Sequence, residues 1–355
     1  MSILSILAAI LLLGILITVH EFGHFFFARI TGIEVQEYAI GFGPKLIGWT
    51  GKSGTKFSLR CFPLGGYCMF YGEDDATGKS VDDPRAFYRQ PVWKRMLSVV
   101  MGPGLNFLLP LLVLFVYFWC NGALVYQAVI ADVTPNGPAY VAGMQVGDVV
   151  LSVNGTSVAQ DNAATDVTRL VADAGEDKMQ LVVLRGEEYV TLEMTAAYNE
   201  EVGRPLIGVQ IANQALDEIR PIGPGEAMRQ SWNSCIYAAT SIWQALSNMV
   251  TTGEGLNDVG GVVGTVAVVS EQVSTYGFSA FINALALISI NLGIMNLLPI
   301  PGLDGARLLF LLLEAIRRKP IPQQKEALVN LAGLALLFGL MIFLVFKDVW
   351  TLIGR

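Results

Sequence analysis

The chain holds two histidines in 355 residues, and they stand four apart in the run His20-Glu21-Phe22-Gly23-His24. Residues i and i+4 of a helix share a face, so both imidazoles can reach one metal ion. Chance alone would give two histidines that spacing about once in 180 such sequences, against a separation that helix geometry dictates. Neutral imidazole is a preferred zinc ligand, and Glu21 is placed to take a proton from water that the metal acidifies. The blander reading is a pair of ordinary helix histidines with no shared ligand.

The surroundings favour the metal reading. Residues Met1 to Val19 carry no Asp, Glu, Lys or Arg. That run is close to the ~20 apolar residues needed to cross a bilayer. A signal peptide fits poorly, because there is no basic leader and no small-residue cleavage site, and the apolar run continues into the histidines. Ionisable groups at membrane depth are costly and mark function, so the motif points to chemistry in or at the bilayer.

Composition agrees. The chain is 53% hydrophobic and 15% charged, with a mean hydropathy of +0.52, which suits a membrane protein. Four uncharged stretches predict spans: Met1–Val19, a core near Leu97–Phe118, a core near Phe278–Leu298, and Ala327–Phe346. Arg29 to Arg95 holds ten Lys/Arg against seven Asp/Glu, whereas Asp132 to Arg220 holds five against fourteen. Arg317, Arg318, Lys319 and Lys325 follow the third span. Lys and Arg near span ends mark the cytoplasmic side, so the first and third spans run inward and the acidic middle lies outside the cytoplasm. A fifth uncharged stretch, Gln230–Gly253, carries eleven Ser, Thr, Asn and Gln residues and predicts an amphipathic peripheral helix. Cys61, Cys68, Cys120 and Cys235 form no CxxC pair and predict packing residues rather than ligands.

A catalytic zinc usually has three protein ligands plus water. With no third histidine, the last ligand is an Asp, Glu or Cys. Asp304 is the only carboxylate between Glu271 and Glu314 and closes the stretch Asn291 to Gly305, after Pro299 and Pro301. Backbone broken by proline inside a membrane is tolerated beside protein or a water-filled cavity. A plain helix-ending turn would use the same Pro and Gly residues. Topology favours a ligand, since two inward spans bring His24 and Asp304 to similar depth.

These residues resemble the site-2 protease family of intramembrane zinc metalloproteases, and most closely its bacterial regulator-of-sigma (RseP-like) branch. His20–His24 matches the first family motif, and Asn296 to Gly305 matches the Asn-x-x-Pro-x-Pro-x-Leu-Asp-Gly motif. Gly41-Phe42-Gly43, Phe62–Tyr67, Gly102–Phe107 and, more loosely, Gly260–Gly264 resemble further family segments. The resemblance implies Zn²⁺ held by His20, His24 and Asp304, with Glu21 as the catalytic acid/base. It also implies substrate-binding roles for Asn291 and Asn296. The implied partners are single-span transmembrane substrates, such as anti-sigma factors or signal-peptide remnants, in the inner (plasma) membrane, with no nucleic acid.

Alternation in Lys56–Phe62 predicts hairpin strands, whose exposed edge could hold an unwound substrate by strand addition. Strands at Met179–Arg185 and Tyr189–Met194, a helix near Ala163–Asp173 and an Asn154-Gly155 hairpin turn resemble one PDZ domain, a module that takes a peptide or a substrate's outer part by strand addition. The expected fold is a polytopic α-helical membrane protein with about four transmembrane helices, a small membrane-associated β-hairpin region and one inserted α+β PDZ-like domain. Its expected divisions are a first span with the histidine motif (1–30), a cytoplasmic-side, membrane-associated β region (31–95), a second span (96–123), an extracytoplasmic PDZ-like domain (124–215), a peripheral helical segment (216–275), a third span with Leu303-Asp304-Gly305 (276–316) and a fourth span (327–347). Two other classes compete. An ion transporter would use Glu21 and Asp304 as a path, and a silent PDZ-bearing adaptor would keep Glu21 without needing it.

Overall fold

Among the described residues, four helices are long and apolar enough to cross a membrane: Ile3–Thr31, Val92–Asn121, Phe278–Leu297 and Glu326–Trp350. They belong to a computed structural model that describes residues 3–73, 83–160, 162–200, 203–255, 260–319 and 321–353. The chain forms two compact units. One comprises Met1–Val116 and Ser231–Arg355, the other Tyr117–Gln230.

The membrane unit starts with α1 (Ile3–Thr31), which runs well past the uncharged stretch, so the histidine motif lies inside one continuous helix. Lipid offers backbone groups no partner, which makes an unbroken helix the stable form. β1 (Val35–Thr50) and β2 (Lys56–Phe70) follow as an antiparallel pair. Both strands bend. Residues 35–40 pair with 66–70 along one side and touch 56–59 along the other, while 47–50 return to 56–59. α2 (Val92–Asn121) carries Pro103 and Pro110 within it.

The second unit begins in the last residues of α2. It contains β3 (Ala123–Val133), α3 (Pro138–Val141), β4 (Val149–Val153), β5 (Thr156–Ser157), α4 (Ala163–Ala174), β6 (Lys178–Arg185), β7 (Glu188–Thr195), β8 (Ala197–Asn199), β9 (Arg204–Leu206) and β10 (Val209–Arg220). Its main sheet runs β10-β3-β4-β6-β7, with β5 paired to β4. Asn154 and Gly155 both take positive φ, 50° and 76°, as the tight turn between β4 and β5 requires. Alternate residues Met179, Leu181 and Val183 of β6 are buried against Val167 and Val171 of α4, the period-2 and helical faces expected of strand and helix.

The membrane unit resumes within α5 (Pro224–Thr251) and continues through α6 (Val262–Tyr276), α7 (Phe278–Leu297), α8 (Asp304–Arg317) and α9 (Gln323–Ile353). Pro299 and Pro301 separate α7 from α8: each lacks an N–H and disfavours helical backbone in the residue before it, and Leu298 is extended. Ala9, Leu12 and Leu16 of α1 pack with Val269 of α6 and Leu285 of α7. The Asp348 carboxylate of α9 accepts the Gly261 and Gly264 N–H groups at the start of α6, at 3.0 and 2.7 Å, which satisfies two donors the helix leaves free. Cys61 and Cys120 are exposed, which corrects the reading of all four cysteines as packing residues.

Candidate metal centre

His20, Glu21 and His24 stand on α1, and Asp304 opens α8. The proline break lets α8 start beside the end of α7, and two ion pairs hold it there. Arg95 of α2, only 3% exposed, forms a two-pronged pair with Glu314 in the last turns of α8. One turn after Asp304, Arg307 pairs with Glu73 at 2.6 Å and covers the Phe87 ring at 4.4 Å, with Phe87 stacked on Phe70. Planar guanidinium groups suit both jobs.

Three ligand atoms converge. His20 Nε2 lies 3.1 Å and His24 Nε2 3.3 Å from Asp304 Oδ2, and the two Nε2 atoms lie 3.3 Å apart. Tetrahedral zinc with bonds of about 2.0–2.1 Å needs ligand atoms about 3.3 Å from one another. The donor chemistry fits too. His24 Nδ1 is 2.9 Å from the Ser98 carbonyl oxygen, which can only accept, so the Nδ1 of neutral His24 carries the proton and Nε2 keeps its lone pair. That lone pair faces Asp304 Oδ2, a buried oxygen. Opposed lone pairs repel, and a cation among them removes the repulsion.

One face of α2 accommodates this arrangement. Ser98, Gly102 and Asn106 recur every four residues and therefore line up. A Cβ on Gly102 would fall 2.2 Å from His24 Nε2, and one on Gly23 would fall 2.0 Å from the Met101 carbonyl oxygen, so only glycine lets α1 and α2 approach this closely. Asn106, with no exposed surface, puts Nδ2 3.3 Å from His20 Nδ1. Pro110 has no N–H to give the carbonyl four residues before it. That carbonyl belongs to Asn106, and it accepts the buried Ser289 hydroxyl of α7 at 2.8 Å instead.

Glu21 is 8% exposed and is hydrogen-bonded by the Cys68 backbone N–H of β2. A Cβ on Gly66 would fall 2.8 Å from Glu21 Cγ, so β2 passes directly over this carboxylate. Asn291 and Asn296 both lie on α7, one exposed and one half-buried. Five residues turn a helix by about 140°, so the two asparagines do not share a face. Asn296 is seven residues from Ser289 and lies on the face toward α2.

The structure thus brings together His20, Glu21, His24 and Asp304. Sequence reasoning passed over Ser98, Arg95 and Arg307, and met Asn106 only as part of the family-like segment Gly102–Phe107, with no role assigned. The four-residue spacing of Ser98, Gly102 and Asn106 is the signal that could have singled out that face.

Comparison with known proteins shows the family. The sequence pattern of peptidase family M50 matches residues 8–340. Proteins named "putative zinc metalloprotease" from Agrobacterium fabrum, Mesorhizobium japonicum and Clostridium acetobutylicum are similar over nearly their whole length. The first is 33% identical, covering 97% of this chain and 95% of the relative. The second is 35% identical, covering 95% and 96%. The third is 32% identical, covering 98% of each.

Proposed function

This chain belongs to peptidase family M50, the site-2 proteases, and is a multi-pass membrane zinc metalloprotease; from that premise we propose that it cuts single-span membrane proteins within or beside the bilayer. His20, His24 and Asp304 would hold the zinc, and Glu21 is the acid/base. The convergence of three ligand atoms at 3.1–3.3 Å carries this reading.

Zinc, when bound, supplies Lewis acidity that polarises a peptide carbonyl and acidifies water. Glu21 takes the water proton on its carboxylate and passes it to the nitrogen of the leaving amine. The Cys68 N–H holds that carboxylate in place for both transfers. Asn296, on the α2-facing side of α7, supports the substrate backbone or the developing oxyanion, and Asn291 on another side meets more distant substrate. A helical substrate must unwind before its amides can be reached. The β1–β2 sheet beside Glu21 offers main-chain groups to hold the unwound strand.

The second unit, with its five-strand path and α4, acts as a PDZ-like module outside the cytoplasm that receives or excludes a substrate's outer part. The charge asymmetry of the flanking segments supports an inner-membrane location with that orientation. Substrates are of the kind processed in regulated intramembrane proteolysis, such as anti-sigma factors or signal-peptide remnants.

The test is metal analysis of the purified chain beside cleavage of a model single-span substrate, with Glu21→Gln as control. One zinc per chain and cleavage that needs Glu21 support the proposal. Cleavage by the Gln variant at the native rate would overturn the role of Glu21.

A further inference from the structure

We propose that Asn106 is the positioning residue for His20: its side-chain oxygen accepts the Nδ1 proton of His20, which leaves Nε2 with a free lone pair aimed at the metal. The inference rests on the ligand reading above.

Three observations carry it. Asn106 is wholly buried, 3.3 Å from His20 Nδ1. Its Oδ1 is a buried acceptor with no hydrogen-bond partner, a rarity that calls for an explanation. Its main-chain carbonyl, freed by Pro110, is tied to Ser289, so the residue joins α1 and α7 through separate groups.

The two ends of a carboxamide have the same shape, and turning the group exchanges oxygen for nitrogen without moving the chain. With nitrogen toward His20, Nδ1 must be bare and the proton sits on Nε2. That tautomer can hydrogen-bond Asp304, but it cannot bind a metal through Nε2. With oxygen toward His20, Nδ1–H gains an acceptor, the orphaned oxygen gains a donor, and Nε2 is released. The Ser98 carbonyl already imposes this tautomer on His24. Asn106 completes the set, eight residues along the same face of α2. Ligating histidines generally give their other N–H to such an acceptor, and losing it weakens metal binding 10–100-fold.

The experiment measures zinc dissociation constants by chelator competition on the full-length chain in detergent, with thermal melting of the metal-free protein as a folding check. Asn106→Leu keeps bulk and removes the acceptor, and it should weaken zinc binding about 10–100-fold. Asn106→Ala carries the same expectation and covers the case in which leucine does not fit. Asn106→Asp restores an acceptor oxygen and should bind zinc at least as tightly as the native chain. A residue that only fills space would give the reverse, with leucine tolerated and aspartate not. Native affinity in the Leu or Ala variant overturns the proposal, as does an Asp variant as weak as Leu. A native chain that binds no zinc sinks the ligand assignment itself, and this role with it.

Discussion

The Nδ1 atom of His24 lies 2.9 Å from the carbonyl oxygen of Ser98, and this single contact fixes which nitrogen of the ring faces Asp304. The contact exists because α1 and α2 nearly touch. Gly102 faces His24 with no side chain between them.

Adding one methyl group at that point should therefore displace the ring. Gly102→Ala places a carbon 2.2 Å from His24 Nε2 and should weaken zinc binding by at least ~10-fold. Gly104→Ala is the control, because its nearest neighbour is the flexible Met101 sulfur at 3.3 Å, and its affinity should stay native. Equal affinity in the two variants would contradict the close-packed seam.

Metal and proton transfer should separate cleanly. Glu21→Gln should abolish cleavage while retaining zinc, because Glu21 lies outside the proposed ligand set. Asp304→Ala should lower zinc occupancy and cleavage together. Stripping the native protein with a chelator should stop cleavage, and added zinc should restore it. Zinc content measured beside product formation decides each case, and full occupancy in Asp304→Ala would remove it from the ligand set.

The Arg95–Glu314 pair anchors the far end of α8. Removing one partner of a buried pair leaves an uncompensated charge, at a cost of about 3–5 kcal/mol. Arg95→Ala should lose roughly that much in thermal or denaturant melts. Arg95→Met combined with Glu314→Leu should recover most of it. A single mutant no worse than the double would show that the pair holds nothing.

Asp148 in the second unit gives a pH-dependent signature. Burial opposes its ionisation, but two Arg185 hydrogen bonds at 2.7 and 2.8 Å and the Gln145 N–H outweigh it and hold the carboxyl below its ordinary range. A depressed folded pKa contributes stability in full above the unfolded value of about 3.9 and loses it as pH falls through the folded one. The penalty of Asp148→Asn should thus be present at neutral pH and shrink steadily below about pH 4. Hydrogen exchange at Val150 and Val183 reads it, and a penalty unchanged by acid would refute the link.

Much of this was legible in the sequence, where residue type alone carries the signal. His20, Glu21, His24 and Asp304 are rare residues in apolar surroundings, and the four long apolar helices follow from composition. The strands at β6 and β7 and the helix α4 came from the likeness to a PDZ domain, and the Asn154-Gly155 turn came from turn chemistry. What stayed hidden acts through groups every residue has. The Ser98 carbonyl and the Cys68 N–H belong to the main chain and leave no mark in side-chain chemistry. The double pairing of β1 with β2 follows from bends that alternation does not reveal. Arg95 and Arg307 read as ordinary basic residues until their partners, far along the chain, are in place.

The assignment of Asp304 to the ligand set has a consequence for biosynthesis. On the proposed ligand set, ribosomes make His20 and His24 first and Asp304 only after the inserted second unit, so a growing chain carries an incomplete centre until Asp304 emerges. A chain still lacking that residue would cut neither its neighbours nor its own helices.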